Sequence, residues 1–122
     1  LCYIPKTINP TGTYHTVMSQ KTGNPVHAGN AREFDASVSD GKVLVDFYAD
    51  WCGPCRMMEP AVEKMAEEGI QVVKVDIDEN QKAASAYGVR SVPTLVVFKD
   101  GEPVQRAVGA KSAEELRDFV EG

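Results

Sequence analysis

The sequence predicts an α/β fold, a central mixed β-sheet with helices on both faces, and three observations carry that reading. First, two short apolar runs, "KVLVDFYA" (42–49) and "QVVKVDID" (71–78), flank a segment with helical periodicity. Strands joined through a helix lie parallel, because the crossover must return over the sheet. Second, "PTLVVFK" (93–99) is turned back by Asp100-Gly101 into "EPVQRAV" (102–108), the pattern of an antiparallel hairpin. Third, shorter helical segments stand before the first run, after the second and at the end. A chain of 122 residues has length for one good core and not for two.

The elements follow in order. Residues 1–30 hold three prolines and three glycines and show no helical periodicity; Tyr3-Ile4 and Thr13 to Met18 are candidate strands there. Asn30 is placed to cap a helix from Ala31 to about Ser39 that buries Phe34 and Val38. Asp40-Gly41 turns the chain into the first apolar run, whose near-continuity suits a strand covered on both faces. A helix from Cys52 to Glu68 follows, with Met58, Val62 and Met65 along one stripe. Pro60 inside it removes one backbone bond and predicts a kink, and Gly69 ends it. After the second run, "NQKAASAYG" (80–88) reads as a short helix closed by Gly88. Ser112 caps a last helix burying Leu116, Phe119 and Val120, with Ser112 and Glu115 spaced as a capping box. No internal repeat is found.

Composition narrows the function. Hydrophobic residues make up 43% and charged residues 25% of the chain, ordinary for a globular protein. No apolar run approaches the roughly 18–20 residues that span a bilayer. Lys6 and Lys21 are the only charges in residues 1–30, so a total of −5 leaves −7 on the rest. An acidic body argues against nucleic acid as a partner. The sequence opens with neither an initiator Met nor a charged stretch followed by an apolar one. No signal peptide is read from it, and a processed, truncated or engineered product is the expectation.

The chemistry sits in "DFYADWCGPCRMMEP", 46–60. Three cysteines are an odd number and no disulfide framework. With the helix starting at its first cysteine, Cys52 and Cys55 stand at i and i+3 on one face, near disulfide range. Cys52, at the helix N-terminus, has the macrodipole to favour a negative sulfur. An effect of about 1–2 kcal/mol is roughly one unit below a free-thiol pKa of about 8.5. Cys52 is therefore expected to be the exposed attacker, and Cys55, a turn further in, the sheltered resolver. Gly53 permits close approach of another chain, and Pro54 is tolerated in the first turn while stiffening the pair. Two other readings use the same spacing. A structural zinc site needs four ligands, and the remaining Cys and His residues, Cys2, His15 and His27, all lie in the first 30. A permanent staple across so short a loop removes little chain entropy. Reversible exchange fits the surroundings better.

Asp46 adds to it. A carboxylate in an apolar strand is costly to bury ionised, so its pKa is expected to be raised. The strand leads into the cysteine turn and sets Asp46 beneath Cys55, placed to accept its proton. Lys74, alone in the next strand, is the natural charge partner; a purely structural buried pair is the alternative.

Together these residues resemble the thioredoxin family over about residues 26–122. The resemblance rests on "VDFYADWCGPC", "VKVDID", "YGVRSVPTLVVFKDG" and "VGA" near the end, with Tyr48 where many members have Trp. It implies a thioredoxin fold for residues 26–122, with 1–25 as an N-terminal extension of open role. It implies a protein-disulfide reductase with Cys52 as nucleophile, Cys55 as resolving thiol, Asp46 as buried acid and Lys74 as its partner. Pro93 matches the family's cis-proline, and Trp51, Gly53, Pro54, Val92 and Gly109 would line a substrate groove with it. The backbone of Val92 would then pair with an extended substrate.

The resemblance also implies no bound cofactor and no metal, with NADPH used indirectly through a thioredoxin reductase. The partners are that reductase and disulfide-containing proteins, with no nucleic acid and no membrane. A cytoplasmic monomer is the expectation, and the alternatives are an exported location and a dimer made through the extension. Cys2 reads as an incidental thiol, a regulatory or intermolecular disulfide partner, or a lipid-attachment remnant. Two rival functions remain: an exported, substrate-dedicated thioredoxin-like redox protein, and a non-catalytic binding subunit of the same fold.

Overall fold

In the computed structural model of the chain, residues 2–3, 25–29 and 31–122 are described. The elements run β1 (Cys2–Tyr3), β2 (Val26–His27), α1 (Ala31–Val38), β3 (Lys42–Tyr48), α2 (Gly53–Glu67), β4 (Gln71–Asp76), α3 (Gln81–Ala86), β5 (Ser91–Val92), β6 (Thr94–Lys99), β7 (Glu102–Val108) and α4 (Ala113–Glu121). The candidate strand at Thr13 to Met18, the placement of Ile4 and the cap at Asn30 lie outside the described residues.

The main sheet has the order β2-β4-β3-β6-β7. β3 pairs with β4 in parallel and with β6 in antiparallel fashion, and β6 with β7 antiparallel, so the sheet is mixed. Strand alternation divides the core between two faces. Val43, Val45 and Phe47 of β3 meet Val73, Val75 and Phe98 with Phe34 of α1 and Ala83 and Ala84 of α3. Leu44 meets Val72, Leu95 and Val97 on the other face, under Met58, Val62 and Met65 of α2 and Leu116 and Val120 of α4. Helices therefore cover both faces, and β3 is buried along nearly its whole length.

Local chemistry sets the ends. Asp100 and Gly101 both take positive φ, 51° and 90°, the pair of values a tight hairpin turn requires and an Asp-Gly pair supplies. Ser112 and Glu115 form the reciprocal capping box of α4. α2 runs continuously through Pro60. An interior proline costs about 3 kcal/mol, and each fully buried apolar side chain contributes about 1.5–3 kcal/mol. Met58, Val62 and Met65, all buried, are enough to hold the helix together across the lost bond.

Two short strands go beyond the sequence reading. β2 adds to the free edge of β4, and β5 stands apart from the main sheet and pairs antiparallel with β1, Cys2 opposite Val92 and Tyr3 opposite Ser91. The candidate strand at Tyr3-Ile4 is thus found one residue earlier. Strands of two residues carry no periodicity, so no pattern in the sequence announces β2 or β5.

Candidate active site

β3 delivers the chain to the cysteine turn. The turn closes where the Cys52 N–H donates to the Ala49 carbonyl at 3.1 Å. The helix begins at Gly53, one residue later than the sequence suggests, and Cys52 is its N-cap with extended backbone angles of −92° and 111°. The shift has chemical content. In the cap position the sulfur does what a serine or aspartate oxygen does at other helices: it accepts the Cys55 N–H at 3.3 Å. Pro54 occupies the first turn, where its missing N–H is no loss.

Exposure does not distinguish the two sulfurs. Cys52 is 0% exposed and Cys55 2%, so the expectation of an exposed Cys52 is overturned. Burial of a turn residue depends on what folds over it, which local sequence does not record. What distinguishes them is their partners. Cys52 Sγ receives the backbone donor of Cys55 and itself donates to the Val92 carbonyl at 3.6 Å. Burial pushes the Cys55 thiol well above the usual range, with its hydrogen bond to Cys52 and the charge of Asp46 adding to the rise and the Ala49 backbone opposing it. Cys55 therefore stays protonated until a base takes its proton.

That base has a candidate. Asp46 is 1% exposed, and its Oδ1 has no hydrogen-bond partner. Burial raises its carboxyl to about 7; the Lys74 ammonium pulls it down and Glu59 pushes it further up. Lys74 is the register partner of Asp46 across β3 and β4, yet its Nζ makes its ion pair with Glu59, at 2.7 Å, and lies 4.5 Å above the Tyr48 ring. Lys74 thus acts on Asp46 through its field, and Glu59 is a residue the sequence reading missed. The available signal was its place four residues after Cys55 on α2, on the same helical face.

The remaining groove candidates are placed as follows. The peptide bond between Val92 and Pro93 is cis. The Pro93 carbonyl accepts the Gly109 N–H at 2.9 Å, and Gly109 has φ 108°, a value that favours glycine. Trp51 is 42% exposed and is anchored by its indole N–H to Asp78 at 2.9 Å, a partner not foreseen. A side chain added at Gly53 would meet nothing within 4 Å, so no neighbouring part of the fold presses on that glycine. Among the described residues no group of three or more His, Cys, Asp or Glu is arranged to hold a metal ion. No helix among them is long and apolar enough to cross a membrane.

Comparison with known proteins gives a consistent picture. The thioredoxin family model matches residues 25–122. The thioredoxin of Bacillus subtilis (strain 168) is 49% identical over 92 residues, 73% of this chain and 88% of that protein. That of Chlamydia pneumoniae is 47% identical over 93 residues, 75% of this chain and 91% of that one. Among solved structures, a mutant thioredoxin from Halobacterium salinarum matches with a TM-score of 0.79 at 49% identity, over 85% of this chain and 94% of that one.

Proposed function

The chain belongs to the thioredoxin family and is a thiol–disulfide oxidoreductase, and we propose that it reduces protein disulfides by passing them through Cys52, with Cys55 and Asp46 completing each turnover. The observation that carries these roles is the pairing of a capping sulfur, held 3.3 Å from the Cys55 N–H, with a buried carboxyl whose pKa lies at about 7.

The steps follow from those partners. Cys52 as thiolate attacks one sulfur of a substrate disulfide; a mixed disulfide forms and the first substrate thiolate leaves. The Cys55 proton passes to Asp46, and the new thiolate attacks the Cys52 sulfur. The second substrate thiolate departs, leaving a Cys52–Cys55 disulfide and a substrate dithiol, a transfer of two electrons. A base with a pKa near the working pH serves both directions, since it takes the proton here and returns it when the pair is reduced again. Lys74 and Glu59 set how readily Asp46 exchanges it.

Residues 26–122 are the catalytic unit in this reading, and residues 1–25 an appendage to it. Trp51, Gly53, Pro54, Val92, Pro93 and Gly109 form the substrate-facing surface, with the open space at Gly53 leaving room for a passing chain. The backbone of Val92, whose carbonyl already meets Cys52, is where an extended substrate pairs. No bound cofactor takes part. A thioredoxin reductase drawing on NADPH restores the dithiol, and the cytoplasm is the compartment in which that supply operates.

Insulin reduction driven by dithiothreitol is the test. The full chain is expected to accelerate precipitation of the insulin B chain, and Cys52→Ser to abolish the acceleration. Full turnover by Cys52→Ser would overturn the assignment.

A further inference from the structure

The strand that carries Val92 already has a partner. β5 pairs antiparallel with β1, with Cys2 opposite Val92 and Tyr3 opposite Ser91. Paired residues in such a ladder have their Cα atoms about 4.5–5.5 Å apart. The carbonyl of that same Val92 accepts the S–H of Cys52 at 3.6 Å. A cysteine of the chain's own N-terminal segment therefore occupies the register position next to the nucleophile, on the edge that a substrate strand would use. In this arrangement Cys52 has no exposed surface, although its neighbour Trp51 is 42% exposed.

We propose that the N-terminal segment is an internal substrate: β1 docks on β5 in place of a client peptide, and Cys2 exchanges with the Cys52–Cys55 disulfide to close the site covalently. The proposal rests on the reductase reading above and adds a regulator to the same site. In the oxidised protein, Cys2 as thiolate attacks the Cys52 sulfur. The Cys2–Cys52 bond forms, the Cys52–Cys55 bond breaks, and its electron pair leaves on Cys55, which takes up a proton. One disulfide is present before and after, so no outside oxidant is required. The reverse attack by Cys55 frees the segment. β1 belongs to the same chain as β5, and a partner on the same chain competes at an effective concentration on the order of millimolar. Client chains below that concentration meet an edge already occupied, and in the oxidised protein the same docking brings Cys2 to the register position beside Cys52.

Two measurements on the full chain test it. In the first, Cys55→Ser, which cannot resolve the link, is equilibrated with a glutathione redox buffer, acid-quenched, alkylated and mapped by peptide mass spectrometry. A Cys2–Cys52 disulfide within single chains is expected, its fraction unchanged on tenfold dilution of the protein. Separate glutathione adducts on Cys2 and Cys52, or links only between chains that fade on dilution, would overturn the proposal. In the second, the reduced Cys2→Ser protein is compared with Cys2→Pro/Tyr3→Pro, which lacks both N–H groups of β1. Alkylation of Cys52 by iodoacetamide is expected to be several-fold faster in the proline variant, and equal rates would overturn the docking. Insulin turnover separates this inference from the reductase reading. Turnover that depends on Cys52 without a Cys2–Cys52 link removes the regulator alone. A link without turnover removes the reductase.

Discussion

Lys74 and Asp46 face each other across two parallel strands, yet the ammonium of Lys74 is held 2.7 Å from Glu59. The carboxyl, raised first by burial and pulled down by Lys74, is thus also tuned by a residue on α2. Glu59 raises the Asp46 pKa directly and also partly neutralises the cation that lowers it.

Glu59→Gln removes both effects, and both changes act downward on Asp46. The acidic limb of the insulin-reduction profile in kcat/KM is expected to move to lower pH, with the carboxyl resonance of Asp46 titrating lower by the same amount. Glu59 is partly exposed, 45% at its side chain, while Lys74 is buried, with 8% exposed, so the urea midpoint is measured beside the profile to show that the variant is folded. An unmoved limb would detach Asp46 from the proton transfer.

The same carboxyl works against stability. Its folded-state pKa, about 7, lies above the ordinary 3.8, so between those values the folded protein holds a proton the unfolded chain has lost. Stability is then full below pH 3.8 and falls as pH rises through about 7. The gap of some three units corresponds to roughly 4 kcal/mol as an upper bound, at 1.36 kcal/mol per unit. Asp46→Asn is expected to unfold at higher urea at pH 8 with little difference at pH 4, and to slow the attack of Cys55 on the order of 10²-fold. Equal urea midpoints at pH 8 would show that burial leaves this group unperturbed.

The pattern of what the sequence disclosed has a physical cause. β3, β4, β6 and β7 and the helices α1, α2 and α4 are long enough for their residue patterns to declare them, the six-residue α3 is marked by its closing Gly88, and Asp100-Gly101 and Ser112 mark other ends by local chemistry. Cys52, Cys55 and Asp46 were legible because each is chemically out of place in its run. β5 and its pairing with Cys2 were not, since two residues hold no period and the contact joins positions some ninety residues apart. Glu59 was hidden for a related reason. On a helix otherwise lined by charges, only its spacing of four residues from Cys55 separates it from Glu63 or Glu67, and that spacing gains meaning once the fold sets Lys74 beside it. The burial of Cys52 belongs to the same class, a property of the assembled surface and not of the turn.

Ser112 offers a control remote from the chemistry. Its hydroxyl accepts the Glu115 N–H at 3.1 Å while the Glu115 carboxylate accepts the Ser112 N–H at 2.9 Å. Ser112→Ala removes half of that box and is expected to cost about 1 kcal/mol, read as a lowered urea midpoint with an unchanged slope. Insulin turnover at 25 °C should match that of the unaltered chain. A change in KM would mean that α4 contributes to substrate binding.

The two cysteines are expected to fail differently. Cys52→Ser leaves no sulfur at the cap, and the Cys55 thiol, buried and held protonated, is a poor attacker, so no adduct with a disulfide substrate should form. Cys55→Ser keeps the capping sulfur and the backbone N–H that reaches it; only the resolving step is lost. Mixed with excess insulin in a Cys2→Ser background, where no second thiol can resolve the link, it should stop after one attack as a stable mixed disulfide through Cys52, seen on a non-reducing gel and released by dithiothreitol, with steady-state turnover reduced by several orders of magnitude. The first attack should keep much of its rate, because its nucleophile is untouched. Equal adduct formation by both variants would mean that either sulfur attacks. The division of labour would then not follow from capping one and burying the other beside an acid.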